Sequence, residues 1–380
     1  MRVFLLHGLF SIGQGATAPI IALLALELGA SVAGAGLVVG LYGLGAMASD
    51  LPSGVLASRI GDRRLMILAA VLMAVTTAGI GLRPPLPLFA IMVVIMGVAS
   101  AAFTLARIIY ATESTPSGHR GRVMSTIGGL HRIGLFVGPV LGGLTIVPFG
   151  IAAPFFVQSI MSITAVATLF MSPDRPGERI RDETVHRPNL RRVFVQHKKT
   201  FATAGVVVVA FGVVRSARQA IIPLWGAEIG LGPSQVAFLF SVAAGVEVLL
   251  FYPVGQLMDR FGRRWASIPS LTLLSVGLVL VPFSRTLGAL TVIALILGVG
   301  NGMGTGINLT LGSDLSPNIG RSEFLGVWRV LGDAGTASGP SLVALTVAII
   351  SLAFAPIVVA GVGAGGVILL WRAVPETLER

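Results

Sequence analysis

Residues 1 to 175 and 201 to 375 carry one pattern twice, in register at a constant offset of 201 and without a gap. Glu27, Leu28 and Gly29 fall on Glu228, Ile229 and Gly230, and Pro52, Gly54, Leu56, Arg59, Gly61 and Arg63 fall on Pro253, Gly255, Leu257, Arg260, Gly262 and Arg264. Gly97 meets Gly298, Pro116 meets Pro317, Arg120 meets Arg321, and Gly138-Pro139 meets Gly339-Pro340. A register kept over so many glycines, prolines and charges requires each half to fold into the same set of elements. Repeats of this kind place any binding site between the halves.

The solvent for those elements must be lipid. With 380 residues, 54% of them hydrophobic and 11% charged, the chain has too little polar surface to cover two soluble domains. A membrane helix needs about 20 apolar residues. Twelve such runs fit, at roughly 3–28, 32–56, 65–82, 86–112, 123–148, 152–171, 201–227, 235–258, 265–283, 287–312, 323–350 and 354–372. The expected fold is all-α, with twelve transmembrane helices in two pseudo-symmetric six-helix bundles. They divide as an N-terminal bundle at 1–171, a linker at 172–200, a C-terminal bundle at 201–372 and a tail at 373–380. The first run lacks a small-residue cleavage site and reads as a retained span.

Charge placement orients the spans. Of 27 basic residues, 20 lie in alternate connections or termini that share one side, whereas Arg83 and Arg285 lie on the other. This positive-inside bias predicts that both termini are cytoplasmic, in the inner membrane of a cell. Lipid headgroups account for the net charge of +11 more simply than a nucleic-acid partner does. The linker holds Pro173, Pro176 and Pro188 and eight Arg or Lys against four Asp or Glu. Its second part, Leu190 to Phe201, reads either as an interfacial amphipathic helix or as a solvated tether. The chain has no Cys, which excludes disulfides and thiolate metal sites. Glycines spaced by three or four, as in Gly36, Gly40 and Gly43, predict close helix packing. The run Gly298 to Gly306 reads the same way rather than as a nucleotide loop, because no strand precedes it.

Two short connections carry a signature. Gly54-Val-Leu-Ala-Ser-Arg-Ile-Gly-Asp-Arg-Arg64 and Gly255-Gln-Leu-Met-Asp-Arg-Phe-Gly-Arg-Arg-Trp265 resemble the loop G-x-L-x-D-R-x-G-R-R of the major facilitator superfamily, found once per half in that family. The resemblance covers the whole chain and implies a gating role for Gly54, Arg59, Gly61, Arg63, Gly255, Asp259, Arg260, Gly262 and Arg264. The glycines permit a tight turn, the arginines stay with headgroups, and the acid latches onto a helix N-terminus or an arginine across the halves. Asp259 supplies that acid in the second copy; Ser58 stands there in the first, with Asp62 or Glu113 as substitutes. Arg132-Ile-Gly-Leu-Phe-Val-Gly-Pro-Val-Leu-Gly-Gly143 resembles the G-x-x-x-G-P-x-x-G-G motif of proton-coupled exporters in the superfamily. Gly138 and Pro139, with Gly339 and Pro340 in the second half, are the expected helix kinks. The fourth-span arginine of the family, four residues before Gly97, is replaced by Val93, and Arg107 lies deeper on that helix.

Eight charged residues fall inside spans: Asp50, Arg107, Arg132, Arg215, Arg218, Glu247, Arg329 and Asp333. Each costs about 2.5 to 3.5 kcal/mol at the bilayer centre, so each should face a wet cavity or a partner. Arg215 and Arg218 share one helix face, Arg329 and Asp333 are spaced i, i+4, and by depth Glu247 can meet Arg329 or Asp333. The resemblance places these with Asn301 and Asn308 around one pocket. Glu247 and Asp333 are the expected proton-coupling acids, since an acid whose partner comes and goes can load and release a proton. Gln14, Arg132, Arg215, Arg218, Asn301, Asn308 and Arg329 are the expected substrate contacts. His7 and Gln14 share a face of the first span, and His131 lies beside Arg132; both histidines read as structural more readily than as relays.

The motifs together imply a monomeric, proton-coupled exporter of an amphipathic or drug-like solute, working by alternating access without cofactor or metal. An organic-anion carrier using Arg132, Arg215 and Arg329 is the alternative, and a receptor or assembly factor on the same fold is a third reading. No arrangement of nucleophile, base and oxyanion donors suggests an enzyme.

Overall fold

The computed structural model describes residues 2–113, 115, 120–170, 194–317, 320–374 and 376, and among them the regular structure is helical, with no strand. The first span is a bent pair, Arg2–Thr17 and Ile20–Glu27, followed by Val32–Ile60, Asp62–Gly81, Leu86–Glu113, Arg120–Phe149 and Ala153–Phe170 as spans two to six. Spans seven to twelve are Val206–Glu228, Pro233–Phe261, Arg264–Leu280, the pair Leu287–Met303 and Ile307–Leu315, Arg321–Ile349 and Ala355–Ala373. Ten helices are long and apolar enough to cross a bilayer, and the bent first pair makes an eleventh. Arg321–Ile349 has the length, 29 residues, but carries Arg321, Glu323, Arg329 and Asp333. Its place between spans two, seven and twelve makes it the remaining span of a twelve-helix membrane fold.

The duplication governs the packing. Span one packs on five and six, two on four, and three on four and six; in the second half seven packs on eleven and twelve, eight on ten, and nine on ten and twelve. The halves meet at two equivalent seams, span two against eleven and span five against eight. Small residues make those seams close, as their spacing predicts. A β-carbon added to Gly36 would lie 3.4 Å from Ala344, and one added to Gly43 would lie 3.0 Å from the Ala337 backbone. In the other seam a β-carbon on Gly143 would lie 3.3 Å from that of Ala237.

Two spans break where one continuous helix was expected. Pro19 has no N–H to continue the first span, and the two pieces diverge by 42°. The tenth span stops at Met303 and restarts after Gly306, whose φ of +77 suits glycine. The 298–306 glycines therefore do more than pack. Gly298 sits against Ala243, while Gly304 to Gly306 interrupt the helix. The signature turns hinge on Gly61 and Gly262, with φ of +88 and +106, at the same place in each repeat.

Most of the 172–200 linker lies outside the described residues. Residues 194–196 and 198–200 are helical and lead through a π-helical turn, Phe201–Gly205, into the seventh span. Phe201 stacks on Phe324 at 4.8 Å and Phe324 on Trp328 at 5.9 Å, fastening this entry to the eleventh span. Of the tail, residues 375 and 377–380 lie outside the described residues.

Candidate functional site

The seams close at one end and part at the other. Toward the end remote from the termini, Gly36, Gly40 and Gly43 touch the eleventh span and Gly143 touches the eighth. Toward the end that carries the termini, added β-carbons on Gly54, Gly326, Gly128, Gly129 and Gly255 would meet nothing within 4 Å. A cavity between the halves is thus sealed at the far end and open at the end of the signature loops. It has two chambers, which share Ala18, Leu135 and Gln219 on their walls.

The second-half chamber, about 70 Å³, is lined by Arg218, Glu247, Phe240, Gly15 and Pro139. Arg218 donates from Nη2 to Glu247 Oε1 at 3.0 Å, with the two side chains 14% and 10% exposed. Glu247 therefore pairs with Arg218 across spans seven and eight, not with Arg329 or Asp333. The reason is reach: the eleventh-span pair is engaged elsewhere. Nε and Nη1 of Arg218 are buried without a partner. Arg215, one turn away, donates from Nε to Asn301 Oδ1 at 2.5 Å. Arg132 stands over the Phe251 ring at 4.9 Å in the seam of spans five and eight.

Arg329 lies in the other seam. It donates from Nη2 to Asp50 Oδ1 at 2.8 Å, across the halves, and its Nε lies 3.5 Å from Asp333 Oδ2. Asp333 and Arg329 thus join a three-membered bridge instead of the central pocket. By the 201 offset Asp333 is the mate of Arg132, and Phe251 the mate of Asp50. The two seams therefore hold an ion cluster and a cation–π contact at the same height. Asn308 is also away from the chambers; its carbonyl accepts the Trp328 indole N–H at 2.8 Å.

The first-half chamber is larger, about 420 Å³, and its walls include Gln14, Tyr42, Ser100, Arg107, His131 and Gln158. Gln14 donates to Ser100 Oγ at 2.5 Å, and Ser100 and Gln14 are the repeat mates of Asn301 and Arg215. One polar strut between the first and fourth helices of each half has thus been kept while its residues changed. His7 Nε2 donates to Ile127 O at 2.7 Å, so its Nδ1 is the acceptor for Arg107 Nη1. Ser11 bonds His131 Nδ1 at 3.0 Å.

The signature arginines do not all stay with the headgroups. Arg63 donates to Leu169 O at 2.8 Å, and its mate Arg264 donates to Leu370 O at 3.4 Å and to Trp371 O. Each fastens the last turn of its half, where carbonyls lack helical partners. Glu376 accepts from the backbone N–H groups of Arg263 and Arg264 at 2.8 and 3.1 Å. Arg59 is exposed, and Arg260 stands over Phe261 at 5.3 Å. Asp259 is exposed and makes no ion pair among the described residues. Ser58 donates to its own helix at Val55 O, 2.8 Å away. The Glu113 side chain lies outside the described residues. Gly138 and Pro139 face the first span, whose Gly15 comes so close that an added β-carbon would lie 2.8 Å from Gly134 O; Gly339 is equally tight against Ser216 in the second half.

Comparison with known proteins decides the family. The family described as Major Facilitator Superfamily matches residues 3–219 and again 204–380. The chain belongs to the major facilitator superfamily. It is similar to an uncharacterized MFS-type transporter of Methanocaldococcus jannaschii, 22% identical over 320 residues and covering 83% of each chain. It is also similar to the multidrug resistance protein MdtG of Citrobacter koseri, 26% identical over 260 residues, 66% of this chain and 62% of that one. Among solved structures, a POT family transporter in complex with a thioalcohol-conjugated peptide shares the fold, with a TM-score of 0.81, 11% identity and coverage of 100% and 96%. This major facilitator is a multi-pass membrane protein and a transporter of small molecules.

Against that background, the polar wall of the first-half chamber is what sequence reasoning missed. Tyr42, Ser100, Gln158 and Gln219 line it, and a test applied to uncharged polar residues inside apolar runs would have flagged Gln158 and Gln219.

Proposed function

We propose that this major facilitator is a secondary active exporter that trades protons for an amphipathic small molecule. The observation that carries this reading is the Arg218–Glu247 pair at 3.0 Å on the wall of a cavity open at one end. A proton on Glu247 removes the charge that holds Arg218, whose two remaining nitrogens have no protein partner, and frees the guanidinium. Proton and substrate then compete for one electrostatic site, which is the minimal requirement for exchange. The positive-inside placement of basic loops supports an inner-membrane orientation with cytoplasmic termini, so the open end faces the cytoplasm and loads substrate from there. The likeness to a multidrug resistance protein supports amphipathic, drug-like cargo.

The test is flux in proteoliposomes under an imposed pH gradient, using a lipophilic cation and an amphipathic carboxylate as cargo. Glu247→Gln should abolish uphill movement and keep part of the exchange at equal pH. Uphill transport at the normal rate in that variant would remove Glu247 from the coupling step.

A further inference from the structure

Four of the five embedded arginines have an evident answer in the protein. Arg329 faces Asp50 and Asp333, Arg218 faces Glu247, and Arg215 and Arg132, besides bonding Asn301 and covering Phe251, lie in the field of Glu247. Arg107 is the exception. It is 7% exposed, makes no ion pair among the described residues, and its Nε is buried without a partner. Its Nη1 meets His7, at 3.2 Å from Nε2 and closer at Nδ1. Because His7 Nε2 is committed to the Ile127 carbonyl, the ring accepts from arginine and adds no negative charge. Ser11 is then left to donate to His131 Nδ1, so that ring also stays neutral and carries its proton on Nε2.

A buried guanidinium with no acid beside it among the described residues calls for hydration or an anion. Arg107 and His131 both line the chamber of about 420 Å³, and among the described residues no carboxylate is on its wall. Tyr42 accepts from Gln14 and also bonds Ser100, so it belongs to the polar strut and not to the cationic corner. The rest of the wall includes Ile21, Met73, Met96 and Leu135, an apolar side large enough for the body of a small amphiphile. The repeat mate of Arg107 is Asn308, outside the second-half chamber, so this cationic corner belongs to the first half alone.

We propose that the first-half chamber is a carboxylate subsite, in which Arg107 takes the anionic head of an amphipathic substrate, with His131 as a further donor. His7 is a positioning residue that holds the guanidinium toward the chamber. The proposal deepens the exporter reading and rests on it for direction, but it concerns binding and is tested by binding.

The experiment uses the purified full chain in detergent and measures protection against thermal unfolding by phenylbutyrate, its methyl ester and phenylbutylamine. The carboxylate should protect at concentrations about tenfold or more below the ester and the amine, as one charge-assisted contact allows. Arg107→Gln should erase that preference while leaving protection by the ester unchanged. Arg107→Lys, which keeps the charge and loses the fork, should retain an intermediate preference. Unliganded melting of each variant shows whether it folds, and a lysine variant that melts like the parent keeps the test decisive if the glutamine variant does not fold. Equal protection by the three probes, or a carboxylate preference that survives Arg107→Gln, overturns the proposal. Glu247→Gln separates the two readings. If it keeps the carboxylate preference but loses pH-driven flux, both stand. Loss of the preference in the parent with pH-driven flux of a lipophilic cation intact sinks the subsite and leaves the exporter.

Discussion

Arg329→Gln is the most informative single perturbation, because one side chain joins two acids and two halves. Its contacts are 2.8 Å to Asp50 and 3.5 Å to Asp333, and the arginine is 48% exposed. At that exposure each contact is worth at most about 1 kcal/mol. Removing the guanidinium also leaves two carboxylates, 23% and 36% exposed, facing each other with no cation between them. The two carboxylates contact each other directly, and partly hydrated charges at that range repel by roughly 1 kcal/mol. The sum is at most about 3 kcal/mol, a shift of up to roughly a hundredfold in any equilibrium that depends on the bridge. Asp50→Asn should do less, since the amide oxygen can still accept from Arg329 and one of the two facing charges is gone. Spin labels at positions 59 and 326, both at the open end, read the separation of spans two and eleven. Arg329→Gln should lengthen and broaden that distance, Asp50→Asn should change it less, and the triple variant with Asp50→Asn and Asp333→Asn should return toward the parent. An unchanged distribution in Arg329→Gln, or a triple variant as perturbed as the single, refutes the bridge.

Three further outcomes follow from the packing. Gly298→Ala places a β-carbon 2.7 Å from the Ala243 carbonyl oxygen, a backbone atom that cannot rotate away, and should cost about 1 to 3 kcal/mol, read as a lowered melting temperature. Arg63→Ala and Arg264→Ala remove equivalent ties to the ends of spans six and twelve and should each cost about 1 kcal/mol; a large effect in one half alone would deny their equivalence. Asp259→Asn should leave melting unchanged, because the acid makes no ion pair among the described residues, while shifting label distances at the loop end toward the open form; a destabilised variant would mean that a partner exists here.

Fold and site were unequally legible in the sequence. The 201 offset and the apolar runs define twelve spans because each helix must satisfy its own backbone in lipid, so composition and length decide it. Pairings between spans are a different matter. Depth along the chain suggested Glu247 with Arg329, and both depths were sensible, but rotation about the helix axis decides which seam a side chain enters. Arg329 turns to Asp50 across the halves and Glu247 turns to Arg218 within one. Arg107 was visible as an embedded charge, whereas the lack of an acid beside it among the described residues was not, since that depends on how several helices pack. The breaks at Pro19 and Gly306 were spelled by proline and glycine, yet the same residues elsewhere, as at Pro139, leave a span unbroken.

The two ends of the cavity are held by different physics. At the remote end, glycine rows bring backbone against backbone, as at Gly36 with Ala344 and Gly43 with Ala337, and no charge takes part. At the other end the last tie between spans two and eleven is ionic. Dissolved salt weakens the second and leaves the first nearly untouched, while temperature and bilayer pressure act on both. Ionic strength is therefore a one-sided control on this molecule, able to loosen one mouth of the pathway without prying at the other.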